Sequence, residues 1–204
     1  MNCVERLPAP LEELIRRLGR LPGLGPKSAM RVAMALLKWP ESETRQLGER
    51  IALLRDELHL CSRCGALTEK NPCPVCSDPE RSDEQLCVVS EWDSMVTMEE
   101  GAFFRGRYFI LGGLLSPLDN TSADALEIAK LESRLAEGTI KEVILALGAT
   151  IEAENTAAHL RSRIGLKFPH IQVCRLAQGI PLGAEVKFMD SETLRQALKY
   201  RQSL

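Results

Sequence analysis

Four of the chain's seven cysteines fall in two Cys-x2-Cys pairs, Cys61/Cys64 and Cys73/Cys76, in the stretch CSRCGALTEKNPCPVC. Two residues between cysteines make a tight knuckle in which both sulfurs can face one ion. Two knuckles supply the four thiolates of a closed tetrahedral zinc site, with no open position for catalysis. The segment is small and poor in apolar residues, so it needs the metal to fold; zinc would supply on the order of 10 kcal/mol. A redox pair is the other reading of Cys-x2-Cys. His59 lies near the first pair and is redundant as a ligand. Cys3, Cys87 and Cys174 are scattered and read as free thiols of a reducing compartment.

A second chemistry is suggested by LPGLGPKSAMRV, residues 21–32. Gly23 and Gly25 permit backbone conformations that other residues resist and let a phosphate approach closely. Pro26 suits the first turn of a following helix. The unpaired N–H groups of that turn, at the positive end of the helix dipole, favour an anion. Lys27 and Arg31 are four apart and share a face. From Leu14 to Lys38 there are six basic residues (Arg16, Arg17, Arg20, Lys27, Arg31, Lys38) and no acid. The stretch resembles the helix-hairpin-helix motif, which holds the DNA backbone without reading sequence. The alternative is a Gly-Pro turn between two core helices whose arginines are merely solvated.

Carboxylates raise a third possibility. Glu91 directly follows the apolar run LCVVS (86–90), and LALGATIEAE (145–154) places Glu152 and Glu154 just past another. The order strand, Glu, helix, later strand resembles the Toprim domain of topoisomerases and primases, in which a Glu and an Asp-x-Asp bind Mg²⁺. In that register Glu91 occupies the Glu position, while Gly148 and Thr150 stand where the two Asp residues belong. Mg²⁺ requires hard oxygen ligands in near-octahedral array, so this reads as the Toprim shape without its chemistry. His159 and His170 are isolated and read as surface or capping residues, and the two tyrosines, Tyr108 and Tyr200, suggest no nucleophile. Glu152 and Glu154 could line an acidic crevice for a basic partner or be ordinary solvated surface; residues 124–154 hold seven acids, most expected on solvated helices.

The elements that would position these residues follow from periodicity. Leu11, Leu14, Ile15, Leu18 and Leu21 have helical spacing, with Pro8 and Pro10 at the start, and Leu47, Ile51, Leu54 and Leu58 repeat the pattern with Ser42 near its start. Beyond residue 86 the short runs 86–90, 108–111, 143–147 and 171–176 alternate with helical stretches such as 122–136 and 153–164. That alternation predicts a mainly parallel sheet covered on both faces. VKFM (186–189), a further strand-like run, and a helix over 191–201 complete the pattern. The expected fold is therefore multidomain α+β: a helical helix-hairpin-helix module (1–55), a small zinc finger (56–79), an α/β Toprim domain (80–174) and a short C-terminal strand-helix segment (175–204).

With 204 residues, 45% hydrophobic and 26% charged, the composition is that of a globular protein. The net charge of -2 does not announce a nucleic-acid binder, so local charge must carry that reading. No run approaches the ~18 apolar residues of a membrane span, and the N-terminus lacks the h-region of a signal peptide, so the expected location is the cytosol.

Taken together, these residues resemble the RecR family of bacterial recombination mediators over nearly the whole chain. LGGLLSPLDN (111–120) resembles its turn after the second Toprim strand. RLAQGIPLGAEVKFMDSETLRQAL (175–198) resembles its C-terminal signature, sometimes compared to a Walker B motif; no Walker A loop is present, so nucleotide binding is not implied. The family's Toprim also lacks the acidic pair. The resemblance implies a non-enzymatic role: a ring-like homo-oligomer (dimer or tetramer) on single- or double-stranded DNA that works with RecO, and in many bacteria RecF, to load RecA at gaps in strands coated by single-strand-binding protein, in the bacterial cytoplasm at the nucleoid. It places Lys27 and Arg31 on DNA, with Gly23, Gly25, Arg16, Arg17 and Arg20 around them, Glu91, Glu152 and Glu154 toward RecO, and the N-terminal helices and C-terminal segment at subunit contacts. Two alternatives stay open: a Mg²⁺-dependent Toprim nuclease or primase-like accessory enzyme, and a purely structural zinc protein.

Overall fold

The computed structural model describes residues 7–116 and 121–201. Cys3 and the last four residues of the LGGLLSPLDN turn lie outside the described residues. The chain divides into two compact units, Met1–Glu57 and Leu58–Leu204.

The first unit is helical: α1 (Ala9–Leu18), α2 (Pro26–Leu36) and α3 (Glu41–Glu57). The helix predicted from Leu11 onward stops before Leu21, at Gly19. A Cβ there would sit 3.3 Å from the carbonyl oxygen of Ile15, so glycine relieves crowding against the last turn of α1, while Ala29 of the packed α2 lies at an ordinary 4.0 Å from that position. The small residues Ala29 and Ala33 are fully buried on the α2 side of this contact. α3 is amphipathic as its spacing predicts, yet it buries none of its residues, and the stripe of Leu47, Ile51 and Leu54 faces solvent.

The second unit starts with a hairpin, β1 (His59–Leu60) and β2 (Leu67–Thr68), and a one-turn helix α4 (Pro74–Ser77), which together carry the four cysteines. There follow β3 (Gln85–Val89), α5 (Trp92–Glu100), β4 (Arg107–Ile110), α6 (Ile128–Leu135), β5 (Glu142–Ala146), α7 (Ile151–Lys167), β6 (Gln172–Arg175) and α8 (Ser191–Lys199). β3 to β6 form one all-parallel sheet in the order β4-β3-β5-β6. After their first residues, Gln85 and Glu142, the central strands β3 and β5 are apolar, because both faces are covered.

Alternation along the strands separates the two faces. Leu86, Val88, Phe109, Leu111, Val143 and Leu145 point into a core closed by α6 and α7, through Leu131, Leu135, Leu160 and Ile164. Cys87, Val89, Tyr108, Ile110 and Ala146 point the other way, into a second core shared with Met95 of α5 and with all four paired cysteines. The zinc module is thus part of the layer that covers the sheet, and not a separate bead on the chain.

Two local expectations are corrected. Residues 186–188, read as strand-like, form a single 3-10 turn, with Val186 and Phe188 exposed. An apolar run makes a strand only where an edge is there to pair with, and none is paired here. The single helix expected over 122–136 is a 3-10 turn (Ala123–Ala125) and then α6, because Leu126 takes an extended conformation between them to reach the core.

Candidate functional site

The four cysteines come together. Cys61, Cys64, Cys73 and Cys76 are all buried, and their sulfurs lie within 4.8 Å of one another. Gly65, at φ +79°, turns the first knuckle, and the N–H of Gly65 donates to the Cys61 carbonyl at 2.9 Å. Backbone amides are aimed at the sulfurs: Cys73 N–H at Cys61 Sγ (3.3 Å), Cys76 N–H at Cys73 Sγ (3.4 Å) and Ala66 N–H at Cys64 Sγ (3.5 Å). Such donors stabilise thiolates and mark a metal centre. The sulfurs of Cys64 and Cys73 are 3.6 Å apart. Sulfurs this close cannot all be ionised without a cation among them. The hydrogen bond from Cys64 holds the Cys73 thiol down, and the same neighbours push Cys64 and Cys76 up. A divalent ion removes that conflict, and four buried thiolates are a structural zinc set. Among the described residues this is the one group of three or more such side chains brought together. Glu91, Glu152 and Glu154 are not part of any.

The remaining described cysteines are different. Burial pushes the Cys87 thiol up to about 12, and burial with its hydrogen bond to Glu142 pushes Cys174 up to about 11. Thiols held protonated in this way are unreactive packing groups.

At the hairpin between α1 and α2, Gly23 is at φ +76°, a region that L side chains resist. Gly25 has ordinary extended geometry as the N-cap of α2. Its contribution is open space, since a Cβ there would meet nothing within 4 Å. No side chain caps α2, Pro26 opens it, and no acid lies in its first turn. Lys27 and Arg31 are exposed and have no ion-pair partner among the described residues, and the same holds for Arg20 and Lys38. Arg16 and Arg17 are different: both reach back to Glu13, Arg17 Nε at 2.7 Å. That carboxylate lies one residue before the acid-free window, so the sequence pattern conceals the pairing.

The three singled-out glutamates do not share one pocket. Glu91 is the N-cap of α5 and is exposed. Gly148, at φ +94°, and Thr150 end the β5 turn, and the Thr150 hydroxyl accepts from Ala153 N–H at 3.2 Å, capping α7. Glu152 and Glu154 then lie in the first turn of α7, where the helix dipole favours acids. Glu154 is occupied: Arg175 Nη1 contacts it at 2.6 Å and Gln178 donates to it at 2.8 Å, and both hold its carboxyl below the usual range. These contacts line a cleft of about 640 Å³ with α8. Glu152 has no ion-pair partner among the described residues. Of the other acids in 124–154, Glu132 binds Arg163 and Lys167, Glu137 binds Arg63 and Arg134, and Glu127 binds Lys130.

Sequence reasoning missed the clamp that holds the zinc module. Buried Arg107 donates to Asp83 at 2.8 Å and to the Val75 carbonyl at 2.6 Å, joining β4 to α4. Arg63, between the first two cysteines, meets Glu137 at 3.2 Å. His159, expected in a surface or capping role, is half-buried on α7, and its Nε2 has no hydrogen-bond partner among the described residues. No helix among the described residues is long and apolar enough to cross a membrane.

The chain matches four family descriptions in succession: the RecR helix-hairpin-helix over residues 11–54, the RecR four-cysteine zinc finger domain over 58–78, the Toprim domain over 84–177 and the RecR C-terminal region over 179–202. It is 63% identical over 201 residues to "Recombination protein RecR" of Nitratidesulfovibrio vulgaris, covering 98% of this chain and 100% of that one. It is 51% identical to the protein of that name from Maridesulfovibrio salexigens, with the same coverage. Identity to the one from Moorella thermoacetica is 43%, covering 97% of this chain and 98% of that one.

Proposed function

The chain belongs to the RecR family of recombination proteins, and on that footing we propose that it is a DNA-repair mediator that clamps DNA without reading sequence. In this reading it acts with RecO, and where present RecF, to help load RecA at gapped or protein-coated single strands. The observation that carries the reading is the hairpin: an uncapped α2 N-terminus with Lys27 and Arg31 exposed beside it, neither with an ion-pair partner among the described residues. Phosphates are the ligands such a site takes. Gly23 and Gly25 admit the backbone, Arg20 adds a third cation with no ion-pair partner among the described residues, and Arg16 and Arg17 join when Glu13 releases them.

One hairpin makes few phosphate contacts and binds weakly. A ring presenting several at once gains by effective concentration. The exposed stripe of α3 and the exposed Leu182, Val186 and Phe188 of the C-terminal segment are the surfaces suited to subunit contacts. Four modules, 1–55, 56–79, 80–174 and 175–204, divide the labour as DNA contact, metal-held support, partner platform and subunit contact. Glu91, Glu152 and Glu154 face RecO. Catalysis has no part in this reading, because a glycine and a helix cap stand where a Toprim enzyme needs two acids. The site of action is the bacterial cytoplasm, at the nucleoid.

DNA binding across a salt series, with the mass of the protein in solution measured alongside, tests the proposal. The expected result is sequence-independent binding that weakens steeply with salt, by an oligomer. Absence of salt-sensitive binding would leave a structural zinc protein. Mg²⁺-dependent cleavage would restore the enzyme.

A further inference from the structure

A cleft of about 500 Å³ separates the first zinc knuckle from the carboxyl ends of β3 and β4. That volume is in the range that accepts a small ligand or an anchoring side chain. Its apolar walls come from both modules: Leu60 and Leu67 from the hairpin, Trp92 from the first turn of α5, and Ile110 from β4. Leu60 is 58% exposed, Leu67 41% and Trp92 42%. Large apolar side chains gathered around one concavity mark a contact surface more than scattered ones do.

The charges around the cleft decide what fits it. Arg63 is met by Glu137 at 3.2 Å, and Lys130 by Glu127 at 2.8 Å. Glu91, on the same wall as Trp92, has no ion-pair partner among the described residues. The cleft therefore presents an apolar floor with one uncompensated carboxylate at its edge. A phosphate backbone would be repelled by that carboxylate, whereas an arginine or lysine would be drawn to it.

We propose that this cleft docks a segment of a protein partner in which an aromatic or large aliphatic side chain stands next to a basic residue: the apolar group enters between Leu60, Leu67 and Trp92, and the basic group pairs with Glu91. The inference rests on the reading above, in which Glu91 faces RecO, and adds the anchor and its chemistry. Trp92 is the centre of the contact, as exposed aromatics in such pockets carry a disproportionate share of binding energy.

Purified RecO of the same organism is the probe, and its affinity for the full chain is measured at low and high salt. Trp92→Ala should weaken binding by about tenfold or more with the salt dependence unchanged. Glu91→Gln should weaken it and flatten the salt dependence. Zinc content and melting temperature should not move, since both side chains are exposed. If Glu91→Gln weakens binding and Trp92→Ala does not, the partner touches Glu91 without entering the cleft; the inference falls and the reading stands. If Trp92→Ala weakens binding and Glu91→Gln does not, the charge match is wrong and the proposal falls with it. If neither matters, or the wild-type chain does not bind RecO, both fall. If Trp92→Ala changes the mass of the protein in solution, the cleft is a contact between copies, which also overturns the proposal.

Discussion

The N–H of Ile110 donates to the carbonyl oxygen of Cys64 at 2.8 Å. Ile110 is the last residue of β4, an outer strand of the parallel sheet, and Cys64 is one of the four metal ligands. The knuckle therefore satisfies a backbone donor that the sheet leaves unpaired at its edge. Gly65 packs on the same residue: a Cβ added to it would lie 3.5 Å from the Ile110 carbonyl oxygen, in van der Waals contact.

Zinc removal should consequently be felt in the sheet. Cys61→Ser, or a strong chelator, should lower the melting temperature by roughly 10 °C or more, as expected when a few kcal/mol leave a domain of this size. Hydrogen exchange should show the Ile110 amide losing protection before the amides of β5. Equal protection with and without metal would mean the knuckle only rests on the edge.

The basic residues of the first unit should separate into two groups. Lys27→Ala and Arg31→Ala should weaken DNA binding about equally for all sequences. Each should also flatten the salt dependence by a slope of roughly 0.7 to 0.9 per contact, multiplied by the subunits engaged. Arg16→Ala should do less, because Glu13 already holds that guanidinium. Glu13→Gln frees both arginines and should tighten binding; unchanged affinity there would place Arg16 and Arg17 away from DNA.

Glu152 and Glu154 should also differ. Glu152→Lys should weaken RecO binding and leave stability alone. Glu154→Lys should in addition loosen the C-terminal segment, since it sets a lysine against Arg175. The sign with pH follows from its lowered carboxyl. The contact contributes above the ordinary glutamate range and is lost as pH falls through the depressed value in the folded protein. The pair is part-exposed, so the effect on unfolding is below about 1 kcal/mol. Proteolysis of the C-terminal segment, followed from pH 7 down to pH 3, is the sensitive readout.

With Mg²⁺ or Mn²⁺ the chain should neither cut nor relax supercoiled DNA. Thr150→Asp should fold normally, because aspartate caps a helix as well as threonine does, and should remain inactive. Cleavage abolished by Glu91→Gln would reverse this conclusion.

Much of this is legible in the sequence where spacing alone decides geometry. Two Cys-x2-Cys pairs fix four sulfurs around a point, and short apolar runs alternating with helices fix a parallel sheet. What is not legible depends on partners far along the chain. Nothing about Arg107 or Arg134 distinguishes them from surface arginines until Asp83 and Glu137 are placed beside them. The break at Leu126 and the 3-10 turn at Val186 reflect where the sheet offers a surface, and local propensity does not encode that. The Glu13 pairing is hidden because that acid stands just outside the basic window, one helical turn before the arginines it holds.

The two-sided core sets a limit on dissection. Val89, Tyr108 and Ile110 are covered by α5 and by the cysteine module, with no further helix in reserve. A fragment beginning near Asp83 would keep every strand of the sheet and α5, yet leave bare to water the part of one face that the cysteine module covers. Such a piece should be recovered as aggregate, whereas a fragment beginning at Leu58 should be soluble when expressed with zinc. The smallest autonomous piece of the second unit therefore starts upstream of the finger, and an apparently complete α/β domain cannot be excised without it.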